Sequence, residues 1–437
     1  MGESGRVGDV MLSSRGAAAA LVAVLFALFV NQGVVYYIQR FSLGGDLFGP
    51  WPVFLATIAA SGLALGSKMI GVKFVRVSLA CFGMCVAFAA TYAYSPSGEY
   101  GLNKTLLTLF VPALCMLAGF VVARDGRLHL LLTTSAVLAA MTAIVFTIRG
   151  HDPSLFAEDE RQRDVIINYQ NFAFVMALGS VWAIDRWARR LPTPDLASVV
   201  GLFVFVYFIL QSGGRIGVLL VFLTIMIYLW RRTKDRLLAL ILIGTYVLLA
   251  GAVVLVAQSH ATEIANSPDA PATLKRMVYY AFLQPEGNPA AETRDIFYRL
   301  AVEVFWRSPL LGVGWGGFPA AAGLTDTSGN WPHNLVLELL AETGIIGTLA
   351  FVVFLGFVLH GFFRDEGDMN DKNAVLALFL VGFATSMVGG DWPSQRLLFF
   401  SFGAMTGFSA RHSGFASDWS EANYEAERAC FRERTTA

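Results

Sequence analysis

Long apolar runs separated by short polar connections dominate the chain. A membrane-spanning helix needs roughly 20 mostly apolar residues, and a bilayer leaves the backbone polar groups of irregular segments unsatisfied. On this basis the sequence predicts spanning helices at residues 17–37, 50–66, 74–94, 102–122, 128–147, 168–184, 196–211, 216–230, 237–257, 335–359, 373–388 and 397–409. We therefore expect an all-α integral membrane protein with about 12 transmembrane helices.

The same pattern divides the chain into four regions. Residues 1–257 carry nine of the predicted helices, and residues 333–409 carry the last three. Between them, residues 258–332 form one long polar loop with helical periodicity, and the charged residues 410–437 form a tail. The first apolar run is longer than a typical signal-peptide core and lacks a small-x-small cleavage site, so we interpret it as an uncleaved helix.

Composition supports a membrane protein. Of 437 residues, 56% are hydrophobic and 15% are charged, whereas soluble domains average about 25% charged residues. The formal net charge of zero gives no basic field for nucleic acid. The four cysteines lack metal-ligand or redox spacing.

Basic residues in the short connections predict the orientation. One set of connections holds 14 lysines and arginines near the helix ends and the opposite set holds 7, so the richer set is expected in the cytoplasm. Both termini then lie in the cytoplasm, and the long loop lies on the outer face. Four arginines are predicted on that outer face against the charge bias: Arg161, Arg163, Arg215 and Arg396.

Arginines on the outer face are suited to binding phosphate groups, because a guanidinium stays charged and forms paired hydrogen bonds to the oxygen atoms of an anion. Arg161 and Arg163 follow Glu158-Asp159-Glu160, so simple pairing with these acids is an alternative. Arg215 ends the short turn Gln211-Ser212-Gly213-Gly214, where it could instead extend toward the membrane interface.

The long loop contains an amphipathic helix at about residues 293–307. Its apolar face is predicted to hold Ile296, Phe297, Leu300, Ala301 and Val304. Another face carries Asp295, Arg299, Glu303 and Arg307 at four-residue spacing, which also fits a surface ladder of ion pairs or a helix lying on the membrane. The glycine-rich segment 311–318 follows no strand, so we exclude a dinucleotide site and expect a tight turn.

His333 stands where the long loop re-enters the membrane. The positive end of the following helix favours a neutral imidazole, which can accept a proton from a hydroxyl. A helix-capping or interface histidine is the alternative. Asn334 and Glu338 follow as supporting residues, and Asp391 and Arg396 in the last outer turn support the same cavity or pair with each other.

Two segments carry a resemblance to a known family. Residues 307–318 read Arg-Ser-Pro-Leu-Leu-Gly-Val-Gly-Trp-Gly-Gly-Phe, and His333-Asn334 is followed by Glu-Leu-Leu-Ala-Glu-Thr-Gly-Ile-Ile-Gly at 338–347. This combination resembles the O-antigen ligase and polymerase superfamily of bacterial membrane glycosyltransferases. The resemblance implies a GT-C-like fold in the inner membrane, with the active site facing the periplasm.

The resemblance also implies substrates and residue roles. The donor would be an O-antigen glycan on undecaprenyl diphosphate, and the acceptor a lipid A–core sugar. His333, Arg299 and Arg215 match the family's catalytic positions, although the family often reads Ser-Arg-Gly where this chain reads Ser-Gly-Gly-Arg. Arg161 and Arg163 match earlier diphosphate-binding arginines less closely. We expect inversion at the anomeric carbon and no metal or cofactor.

Other functions remain open at this point. An O-antigen polymerase or a protein O-oligosaccharyltransferase would use the same donor, and the motifs do not separate them. A polytopic transporter would place paired broken helices in two related halves. No such symmetry is visible in the sequence.

Overall fold

The computed structural model describes residues 3–31, 50–64, 72–148, 169–190, 193, 195–233, 235–283, 289–327, 329–365 and 368–409. Arg161 and Arg163, the linker around them and the tail after 409 lie outside the described residues. Within these ranges all regular structure is helical.

The first nine helices form the N-terminal region. They are α1 Glu3–Val30, α2 Pro50–Ala64, α3 Val72–Ala90, α4 Glu99–Arg124, α5 Leu128–Ile148, α6 Tyr169–Arg189, α7 Leu196–Gln211, α8 Arg215–Arg232 and α9 Arg236–Ser259. The long loop then forms α10 Ala261–Asn266, α11 Ala272–Val278, α12 Pro289–Arg307 and α13 Phe318–Ala321. The chain re-enters the bundle as α14 Leu335–Arg364, α15 Met369–Ser386 and α16 at residues 396–409.

A helix is found at each of the predicted apolar segments. In the described part of the chain, five helices are both long and apolar enough to cross a membrane: Phe74–Tyr94, Glu99–Arg124, Leu128–Ile148, Arg236–Ser259 and Leu335–Arg364. The all-helical class is therefore confirmed for the described residues, and the five long apolar helices are consistent with an integral membrane protein. The count of twelve spans and the GT-C-like fold stay predictions.

Small residues let α16 pack directly against α4. A Cβ atom added to Gly403 would lie 1.8 Å from the Met116 carbonyl oxygen, and one added to Gly407 would lie 2.3 Å from that of Phe120. Gly119 makes the reciprocal approach to Phe400. Glycines four residues apart are how membrane helices bring their backbones together. The described residues of α16 are all nearly inaccessible or half-buried, so this helix forms the centre of the bundle.

The amphipathic loop helix α12 packs against α14 through Ala301 and Val304, which cluster with Ala341, and Phe297 of the same face is also buried. The predicted apolar face was wrong at one position, because Ile296 is 42% exposed. The helical phase of the buried stripe is therefore set by Phe297 rather than by Ile296.

Helix α14 is kinked at Gly344, whose φ of 64° and ψ of −163° are not helical. A Cβ atom there would lie 2.4 Å from the Leu310 carbonyl oxygen. The glycine turn of the loop, residues 311–318, packs against the kink. There the Val313 and Gly314 amides donate hydrogen bonds to the Ala341 and Glu342 carbonyls, at 3.0 Å each. The loop is thus built into the bundle at the level of the kink.

Candidate active site

His333 has the only positive φ among the described non-glycine residues, at 52°. A bulky residue in this region is strained, and such strain is common at functional sites. The ring lies between Trp331, at 4.8 Å between centroids, and Phe297 of α12, at 5.7 Å. The side chain is therefore packed between Trp331, just before it in the loop, and Phe297 of helix α12.

The helix cap is supplied by the neighbour of His333. The Asn334 side-chain oxygen accepts hydrogen bonds from the amides of Val336 at 3.0 Å and Leu337 at 3.1 Å. Its Nδ2 donates to the Met387 carbonyl at 3.4 Å. Because Asn334 satisfies the first amides of α14, the capping explanation of His333 loses its basis.

His333 is set up to be neutral. Burial and, to a lesser extent, the positive charge of Arg294 together lower its pKa from the usual 6.5 to about 4. An imidazole that is neutral near pH 7 can accept a proton. The pKa is lowered, as the sequence predicts. The causes are burial and the charge of Arg294, which is not among the site residues predicted from the sequence.

Arg294 and Arg299 lie on different sides of α12. Arg294 is half-buried and precedes Phe297 by three residues, so both belong to the face that meets His333. Arg299 is exposed, and its Nε donates to the Asp295 carbonyl at 3.4 Å. The helical phase of Phe297 was the signal that could have identified Arg294 in the sequence.

A buried charge cluster lies below this site. Lys104 of α4 places its ammonium 2.6 Å from Glu338 Oε1 and 2.6 Å from Glu342 Oε2, and all three side chains are inaccessible. The ammonium also lies 4.6 Å from the centroid of the Trp315 ring. Lysine and glutamate at this depth are costly unless paired. Both acids stand out in the sequence within an apolar stretch, whereas their pairing with Lys104 appears only in the structure.

Each carboxylate of this cluster holds a turn. Glu338 Oε1 accepts from the Trp392 amide at 3.0 Å, and Glu342 Oε2 accepts from the Gly316 amide at 2.9 Å. Within the described residues, the remaining oxygens Glu338 Oε2 and Glu342 Oε1 are buried without a hydrogen-bond partner. The cluster therefore joins α4, α14, the glycine turn and the last outer turn.

The last outer turn is tied to the bundle on two sides. Asp391 accepts hydrogen bonds from the Ser394 hydroxyl and, at 3.4 Å, from the Tyr100 hydroxyl of α4. Arg396 donates from Nη1 to the Phe29 carbonyl at 2.8 Å and lies 4.1 Å over the Phe29 ring. These contacts make both residues braces between helices.

Arg215 begins α8 and is exposed, directly after Gly213 with its φ of 77° and Gly214. The loop reaches this end of the bundle too, because the Thr273 hydroxyl of α11 donates to the Ile209 carbonyl of α7 at 2.7 Å. Four of the predicted site residues thus lie around the start of α14, namely His333, Asn334, Glu338 and Asp391. Arg215 lies at the start of a separate helix.

In the described ranges, no group of three or more His, Cys, Asp or Glu side chains is placed to hold a metal ion.

The comparison with known families agrees with the resemblance read from the motifs. The family model described as O-antigen ligase matches residues 199–352, a region that includes Arg215, α12, the glycine turn and His333. No curated protein matches the chain. Over this region, the chain is similar to the O-antigen ligase family, in agreement with the resemblance that the motifs carry.

Proposed function

We propose that the protein is an O-antigen ligase of the bacterial inner membrane. It transfers a glycan from undecaprenyl diphosphate to a sugar of lipid A–core at the periplasmic face, and both termini lie in the cytoplasm. The observation that carries the proposal is the half-buried His333, with its left-handed backbone and lowered pKa, beside Arg294 and inside the region matched by the family model.

The reaction is a direct displacement. The acceptor hydroxyl loses its proton to His333 as its oxygen bonds to the anomeric carbon of the donor sugar. The bond from that carbon to the diphosphate oxygen breaks with its electron pair, so the configuration inverts. Undecaprenyl diphosphate leaves with the additional negative charge.

Arginines stabilise the charge on the leaving diphosphate. Arg215 and Arg299 take this role, with Arg161 and Arg163 on the other side of the phosphates. Arg294 adds a charge beside His333, on the buried face of α12. Asn334, Glu338, Asp391 and Arg396 hold the surrounding turns. We propose that the arginines make a divalent cation unnecessary. Activity abolished by excess chelator and restored by a divalent cation would contradict that part.

The deciding experiment is acceptor choice. Purified full-length protein is given undecaprenyl-diphosphate glycan with or without lipid A–core, and products are separated by mass. A product that forms only with lipid A–core supports the ligase. Lengthening of the lipid-linked glycan in the absence of lipid A–core would make the protein a polymerase, which the same family match also accommodates.

The role of His333 is tested by substitution. His333→Ala is expected to lower the transfer rate by about a hundredfold or more, the usual contribution of a general base. His260→Ala is the matched control, because His260 is an exposed loop histidine beside Glu263. Near-normal activity of folded His333→Ala would remove His333 as the base.

A further inference from the structure

A charged cavity lies at the opposite end of α14 from His333. The helix starts beside His333 and ends 30 residues later at Arg364, a path of roughly 45 Å at about 1.5 Å per residue. At that far end is a cavity of about 500 Å³, lined by the ends of α8, α9, α14 and α15. It shares no lining residue with the candidate active site.

The described lining of this cavity is strongly basic. Its cationic side chains are Arg231, Arg236, Arg364 and Lys372, and its acidic side chain is Asp365. The Asp365 carboxylate already accepts a hydrogen bond from the Ser409 hydroxyl of α16. Four cations around one cavity repel each other, and a bound anion relieves that repulsion.

Two of the guanidinium groups are held in place before any ligand arrives. Arg231 Nε donates to the buried Asn373 Oδ1 at 2.8 Å, and its guanidinium lies 5.7 Å from the centroid of the Phe363 ring. Arg236 donates to the Trp230 carbonyl at 3.1 Å and lies 5.1 Å from the centroid of the Trp230 ring. Fixed guanidinium groups lose less conformational entropy when they bind phosphate oxygens.

The surroundings of the cavity favour a lipid over a soluble anion. Trp230 and Phe363 at its rim are 40% and 50% exposed, as expected for aromatic residues at a membrane interface. Helix α9 rises from the cavity with an exposed apolar surface, including Leu237 at 67% and Ile241 at 55% exposure. Acyl chains could lie along this surface while the headgroup occupies the cavity.

We infer that this cavity binds the phosphate of an anionic phospholipid headgroup. Basic pockets between membrane helices recognise such headgroups. Arg231, Arg236 and Arg364 surround the phosphate, and Lys372 contributes charge from its buried position between Phe362 and Phe408. The inference does not depend on the glycosyl-transfer proposal, because the two sites lie at opposite ends of α14.

The test is lipid binding to delipidated full-length protein in detergent, measured by native mass spectrometry. Dioleoyl phosphatidylglycerol is compared with dioleoyl phosphatidylcholine, with and without inorganic phosphate as competitor. We expect phosphatidylglycerol adducts at lower lipid concentration, little competition by phosphate, and about fivefold weaker binding for each charge removed by Arg236→Gln and Arg364→Gln. Arg76→Gln, an exposed arginine outside the cavity, is the matched control and is expected to bind like wild type.

Three results would overturn the inference. Equal binding of the two lipids would remove the headgroup preference. Wild-type affinity in the Arg236→Gln/Arg364→Gln double variant would place the lipid elsewhere. Full competition by inorganic phosphate would assign the cavity to a soluble phosphate rather than to a lipid.

Discussion

His333 combines three properties that rarely occur together by chance in one residue: a left-handed backbone, partial burial between aromatic rings, and a lowered pKa. Its place at the membrane re-entry made it a candidate in the sequence, and the family resemblance favoured it over a helix-capping or interface role. Arg294 was missed because the predicted apolar face, which was wrong only at Ile296, was not extended one turn back from Phe297. Positions 294, 297, 301 and 304 share the face that packs inward, which only the contacts of Phe297 establish.

The pH dependence of transfer tests the contact between Arg294 and His333. In the proposed mechanism the neutral imidazole is the base, so activity is expected to fall as pH drops through its pKa of about 4. Arg294 disfavours the imidazolium, so Arg294→Gln should raise that pKa and move the acid limb toward 6.5, the usual histidine value. The measurement is the initial rate at low donor concentration between pH 3.5 and about 8.

Arg299→Gln is the control for the same measurement. It removes a positive charge from the same helix, but on the exposed face, so the acid limb should stay where it is. A fall in rate at all pH values would then report the diphosphate role proposed for Arg299. An acid limb that moves in Arg299→Gln but not in Arg294→Gln would contradict the geometry of α12.

At the scale of the element, the glycine turn and the kink of α14 form one unit. Gly312 lies against the backbone of Glu342 and Thr343, and Gly344 lies against that of Leu310 and Gly312, so neither glycine has space for a side chain. Lys104 pairs with both Glu338 and Glu342. These carboxylates in turn accept hydrogen bonds from the Trp392 and Gly316 amides, so the lysine holds the two turns in place. The turns that carry the candidate site are therefore braced by a lysine on α4, more than two hundred residues earlier in the chain.

Removing the lysine tests that brace. Lys104→Met leaves two buried carboxyl groups without a cation, and we expect a loss of about 3–5 kcal/mol in the free energy of unfolding. The triple variant Lys104→Met/Glu338→Gln/Glu342→Gln removes the uncompensated charges and should recover much of the loss. Unfolding of the purified protein in mixed micelles, followed by far-UV circular dichroism, provides the measurement.

The control for Lys104 is an exposed ion pair. Glu303→Gln removes a partner that lies 4.0 Å from Arg307, with both side chains more than 60% exposed. Such pairs contribute about 1 kcal/mol or less. If Lys104→Met were as stable as Glu303→Gln, the cluster would not brace the turns.

Two glycines in the loop separate backbone strain from steric contact. Gly316 and Gly323 have nearly the same φ, 73° and 72°. A Cβ atom at Gly316 would lie 2.5 Å from the Gly101 Cα atom, whereas nothing lies within 4 Å of one at Gly323. Gly323→Ala should cost about 1–2 kcal/mol from the left-handed backbone alone, and Gly316→Ala should cost clearly more. Equal costs in the same unfolding assay would show that the turn can move away from α4.

At the scale of the whole molecule, structural features could be predicted from the sequence where one physical rule determines them. Apolar length located the helices, because lipid leaves the backbone no other regular structure than helix in a chain of this pattern. The sequence was insufficient where distant segments meet. Lys104 looked like an ordinary connection residue, and its partners at positions 338 and 342 are set by how α4 packs on α14. Close glycine contacts such as Gly403 on Met116 likewise depend on the packed bundle.

The sidedness of the molecule gives the last prediction. The Ser97 hydroxyl and Gly98 amide at the start of α4 donate to Asp326 at 2.7 and 2.8 Å, so the long loop lies at that end. His129 is exposed just beyond the other end, 26 helical residues away, which is roughly 39 Å at about 1.5 Å per residue. In a Cys430→Ser background, where Cys81, Cys85 and Cys115 are buried, a membrane-impermeant maleimide should label Thr325→Cys in spheroplasts and His129→Cys in inverted vesicles. Labelling of both cysteines from one side would rule out α4 as a span. The reverse pattern would place the candidate site in the cytoplasm, where undecaprenyl-linked glycan could not reach it from the periplasm.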